Sequence, residues 1–62
     1  MEHPTPDKRT VLRLAAEADV DPRSVRSEFA AMRGERPHVT GRAGEKLRVV
    51  LARRGYVSSE AA

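Results

Sequence analysis

The chain has 62 residues, 39% hydrophobic and 34% charged, with 12 Lys and Arg against 9 Asp and Glu for a formal net charge of +3. That length supports one domain with a thin core, and the lack of cysteine excludes a disulfide framework, a thiolate metal site and thiol chemistry. No apolar run reaches membrane-spanning length, and the opening MEHPTPDKRT has no signal-peptide core, so a cytoplasmic protein with no membrane partner is expected.

Residues 1–9 carry two prolines, a histidine and mixed charges without an apolar period, and read as a flexible arm. Thr10 is placed to cap a first helix, because Val11, Leu14, Ala15 and Ala18 follow at i, i+3, i+4 and i+7. Asp19, Val20 and Asp21 interrupt that period. Asp21-Pro22 then restarts a helix: the carboxylate can accept from an orphan amide, and proline at the first helical position loses no hydrogen bond. Val25, Phe29 and Met32 line one face of this second helix, and Gly34 suits its end. After the loop GERPH, Thr40 caps a third helix that turns Ala43, Leu47, Val50 and Leu51 inward. Gly55 stops it, Arg53 and Arg54 complement its dipole, Tyr56 and Val57 fold back, and residues 58–62 form a tail.

The pattern predicts an all-α fold, a three-helix bundle over residues 10–57. Its expected core is Val11, Leu14, Ala15, Ala18, Val20, Val25, Phe29, Leu47, Val50, Leu51 and Tyr56. Leu12 fits neither face. Asp19 to Asp21 is a short connection, and the small Ala15 allows the first two helices to cross closely, which is the arrangement of a helix-turn-helix. In that motif the second helix enters the major groove by its N-terminal end, so Arg23 and Arg26 would face base edges and phosphates. The competing reading makes both arginines ordinary solvated charges.

TVLRLAAEADVDPRSVR resembles the start of the lactose-repressor-type DNA-binding headpiece, and HVTGRAGEKLRVVLARRGYV resembles that headpiece's third segment. The two blocks cover residues 10 to 57 in the family's order and close on its Gly-Tyr pair. The resemblance implies a headpiece-like fold and double-stranded DNA as the partner, with a homodimer or cooperative oligomer on DNA left open. Thr10 would donate to a phosphate while capping the first helix. Pro22, Arg23 and Ser27 would occupy the groove-facing places of the second helix, flanked by Ser24 and Arg26. His38, Thr40 and Arg42 would approach the backbone of the opposite strand, although a role-free loop residue is the competing reading of His38. Lys8 and Arg9 would lie in the arm.

The chain also departs from the family. Asp19 stands in place of the turn glycine, a position aspartate tolerates through a left-handed backbone. Glu28 stands at an apolar position, which suggests a second helix rotated, or packed on Phe29 instead. The RGERP loop is longer, and Gly44 replaces a basic residue. The hinge helix and sugar-binding domain have no counterpart up to Ala62, so inducer response does not carry over.

Enzymatic readings are weak. GRAGEK superficially resembles a phosphate loop, but its spacing is wrong and no Ser or Thr follows Lys46. His3 and His38 have no metal-ligand spacing, Asp21 reads as a cap, and no nucleophile sits in a triad pattern. The expectation is a sequence-specific regulator of transcription that occupies operator or promoter DNA and has no cofactor, small-molecule ligand or catalytic residue. The alternatives are a recombination-accessory (excisionase-like) or architectural DNA-binding protein, and a protein-interaction module on a degenerate helix-turn-helix.

Overall fold

The computed structural model describes residues 6–56. The greater part of the expected arm (1–5), Val57 and the tail 58–62 lie outside the described residues. Three helices follow in order: α1 over Lys8–Ala18, α2 over Pro22–Met32 and α3 over Gly41–Arg53, with no strand among the described residues.

The start of α1 differs from the expectation. Its N-cap is Asp7 rather than Thr10: the Asp7 carboxylate accepts from the Thr10 amide at 2.9 Å. Thr10 therefore lies in the first turn, and Lys8 and Arg9 are helical rather than part of an arm. Aspartate is the better cap of the two, so the helix extends back to it. α2 begins as the sequence indicates, with Asp21 Oδ1 accepting from the Arg23 amide at 2.8 Å and Pro22 opening the first turn. At α3, Thr40 occupies the N-cap position but makes no side-chain capping bond.

All three helices terminate by the same device. Asp19, Gly34 and Gly55 take left-handed backbones with φ of 58°, 81° and 84°. The following amide then bonds back across the last turn: Val20 to the Ala15 carbonyl at 2.9 Å, Glu35 to Ala30 at 2.9 Å and Tyr56 to Leu51 at 2.8 Å. These six-to-one bonds satisfy carbonyls that a helix end otherwise leaves unpaired. The left-handed Asp19 makes the turn between α1 and α2 tight.

α1 packs on both other helices, and α2 and α3 touch each other less. The core is Val11, Leu14, Ala15, Ala18, Val25, Phe29, Leu47, Val50 and Leu51, with Val20, Met32 and Tyr56 partly buried against it. Tyr56 packs edge-on against Phe29, ring centroids 5.4 Å apart at 85°. Two expectations change. Ala43 is only half-buried, and its neighbour Gly44 is the residue packed inside. The second helix is not rotated to avoid Glu28: it turns Val25, Phe29 and Glu28 inward together. Leu12 and Val49 remain exposed, at 48% and 56%.

Candidate nucleic-acid interface

Glu28, at 1% exposure, is the buried charged side chain among the described residues, and its surroundings explain why that is tolerable. Its Oε1 accepts from the Val39 amide at 2.9 Å, and its Oε2 lies 2.6 Å from His38 Nδ1. A buried carboxylate is costly unless paired and hydrogen-bonded, and both its oxygens are satisfied here. The Val39 carbonyl accepts from Arg48 Nη1 at 2.8 Å. The same carbonyl lies against the backbone of Gly44, where a Cβ would overlap its oxygen and come 2.8 Å from its carbon. Residues 38–40 are thus held between α2 and α3: a carboxylate grips one side, and a guanidinium and a side-chain-free helix surface take the other.

This places the sequence-predicted residues in two groups. Pro22, Arg23, Ser24, Arg26 and Ser27 occupy the opening turns of α2, with Arg23 and Arg26 exposed and the others half-buried. His38 and Thr40 line an open hollow of about 500 Å³ together with Val39, Gly41, Glu45 and Arg48, and Arg42 stands exposed on the first turn of α3. Glu28 joins the groups, since it follows Ser27 on α2 and reaches His38. Thr10 belongs to neither; its amide and side chain bond the Asp7 carboxyl and hold it below the usual aspartate range. Pro6, just before α1, shares a small hollow with Arg26, Phe29 and Arg33.

Charges are distributed unevenly. Glu17 on α1 accepts from Arg54 Nε and Nη2 at 3.0 and 2.6 Å and lies 3.6 Å from Arg53. Both arginines therefore clamp α3 to α1, where dipole complements and solvated charges were expected, and Glu17 raises the Arg54 pKa. Glu35 pairs with Arg33, which lowers its pKa, and Asp19 lies 3.6 Å from Lys46. By contrast Lys8, Arg9, Arg13, Arg26, Arg36 and Arg42 have no acidic partner within 4.0 Å among the described residues. Within α2 itself the outward Arg23, Arg26, Ser27 and Ala30 have no acid among them, because that helix's one carboxylate is turned inside; the exposed carboxylate at its edge is that of the N-cap Asp21, 3.9 Å from Arg23 Nε.

No family model matches the chain, and no match was found among curated proteins or solved structures.

Sequence reasoning did not find Glu28, Gly44, Arg48 or Asp7 as organisers of these surfaces. A signal existed for two of them: a glutamate in the apolar register of α2, and a glycine inside a helix.

Proposed function

We propose that the chain is a sequence-specific double-stranded DNA-binding protein, a transcriptional regulator that acts by occupying operator or promoter DNA. The observation that carries this reading is the outward side of α2, where Arg23 and Arg26 stand exposed and no acid beyond the N-cap Asp21 faces out. A helix of this width fits the major groove, where an arginine fork can pair with guanine O6 and N7 and a serine hydroxyl with several base edges. Arg23 sits on the first turn with its side chain 89% exposed, Arg26 and Ser27 follow, and the left-handed Asp19 keeps the connection to α1 short, as a helix-turn-helix needs. His38, Thr40 and Arg42 would flank the duplex on its backbone, and the cations without acidic partners supply attraction to phosphate independent of sequence.

Selection of bound sites from random duplexes tests the proposal. A defined motif of a few base pairs is the expected result. Salt-sensitive binding without a motif would instead indicate an architectural or recombination-accessory role. Exposed Leu12 and Val49 favour a second reading, docking on another protein. Absence of any duplex binding at low salt would leave that reading in place.

A further inference from the structure

We infer that Glu28 is a positioning residue for DNA binding: it turns His38 so that the ring, as imidazolium, bridges the buried carboxylate through Nδ1 and a DNA phosphate through Nε2. The inference rests on the DNA-binding reading above and adds to it a residue that never touches DNA.

A structural tie for the loop would need only an acceptor for the Val39 amide, which a neutral glutamine would supply without burying a charge. The chain instead buries a full carboxylate and directs its second oxygen to His38, whose side chain is 60% exposed. With Glu28 as a carboxylate its oxygen accepts, and the 2.6 Å contact then has Nδ1 as the donor. Nε2 is then the free ring nitrogen, and no hydrogen bond engages it among the described residues. His38 also lines, with Thr40, Gly41, Glu45 and Arg48, the open hollow of about 500 Å³, a volume that a phosphodiester does not exceed. The charged groups facing the ring are Glu28 from α2 and Glu45 and Arg48 from α3. Only the doubly protonated ring donates in both directions, to the carboxylate and to the phosphate.

Three variants test this: Glu28→Gln, His38→Ala and the double substitution. Each is titrated with the selected duplex between about pH 5 and 8, the interval in which imidazole ordinarily gains its second proton. Wild-type affinity should fall with rising pH by up to about tenfold, the scale of one charge-assisted hydrogen bond. His38→Ala should bind weakly at the low end and lose the pH dependence. Glu28→Gln, whose neutral ring carries its proton on Nε2 and so donates to phosphate at any pH, should lose the pH dependence without the weak binding of His38→Ala, and the double variant should bind like His38→Ala, because Glu28 acts through His38. Nitrogen chemical shifts of the ring in the free protein should place the neutral-form proton on Nδ1 in the wild type and on Nε2 in Glu28→Gln, where the amide now donates. If Glu28→Gln does not fold, the wild-type ring shifts and His38→Ala decide: His38→Ala leaves Glu28 bonded to the Val39 amide. A His38→Ala protein that binds with wild-type affinity and pH profile, or a wild-type ring with no proton on Nδ1, overturns the inference and leaves DNA binding intact. A wild-type protein that binds no duplex at any pH overturns the functional reading, and this inference with it.

Discussion

Gly44 stands inside α3, where alanine would be the better helix former by about 1 kcal/mol, yet the close approach of the Val39 carbonyl leaves no room for a methyl group. The obstacle is backbone on both sides, which no rotamer change relieves. Gly44→Ala should therefore lose about 1–3 kcal/mol in urea unfolding, against its helix propensity. Asp19 gives the opposite case. Its left-handed backbone is strained for any residue with a Cβ, and its exposed contact with Lys46 contributes little. Asp19→Gly should gain about 0.5–1 kcal/mol after the extra freedom of the unfolded chain is offset, read as a rise of a few degrees in melting temperature. Asp19→Val should melt lower. For binding, Arg23→Ala should flatten the selected motif at one base pair at a loss of about 1–3 kcal/mol, whereas Arg42→Ala should keep the motif and lower the salt slope by about 1. Affinity measured on matched and mismatched duplexes at several salt concentrations separates the two; full discrimination retained by Arg23→Ala would contradict the proposed docking. Arg23 and Arg42 were legible in the sequence because local spacing puts each on a first turn. Glu28 was legible only as an anomaly, since its partners Val39 and His38 arrive through a loop that no periodicity describes.

At the scale of elements, each helix is set by its ends, and the ends are where sequence reading succeeded and failed. Asp21-Pro22 and Gly34 bound α2 as their chemistry indicates. The start of α1 was missed because two capping residues stand three apart and the surrounding prolines suggest an arm; the better acceptor, Asp7, prevails. That cap has a pH signature. The hydrogen bonds from the Thr10 side chain and amide lower the Asp7 pKa below its ordinary 3.8, so the carboxylate is favoured in the folded state. A depressed folded value means the stabilisation is complete above the unfolded pKa and is lost as pH falls through the folded one. Asp7→Asn keeps an acceptor but does not titrate, so its thermal stability should decline less steeply than the wild type's below about pH 4. Equal slopes would show that the cap contributes nothing. The attachment of α3 to α1 through Glu17 had no local signal either, because the contact spans 37 residues of chain.

The described residues measure 25 × 22 × 20 Å. At 3.4 Å per base pair their longest dimension covers about seven base pairs, less than the ~34 Å separating equivalent groove faces one turn apart. On the proposed reading, the described residues of one copy would therefore cover one half-site and not two. A lone module of this size should bind a single half-site in the micromolar range or more weakly, and two half-sites centred about 10 base pairs apart should bind two copies. Nanomolar binding of a demonstrated monomer to one short half-site would contradict this. Within the molecule, α2 leans mainly on α1, while the Glu28 contact anchors the 38–40 segment to it. That contact leaves a natural clock in the chain. The Val39 amide belongs to no helix, and yet its hydrogen is held by a buried carboxylate, so it should exchange with deuterated solvent as slowly as amides inside α1 rather than at the rate of a loop. Its exchange would time how often α2 and the loop part company while the rest stays folded, and DNA added to the solution should slow that clock further.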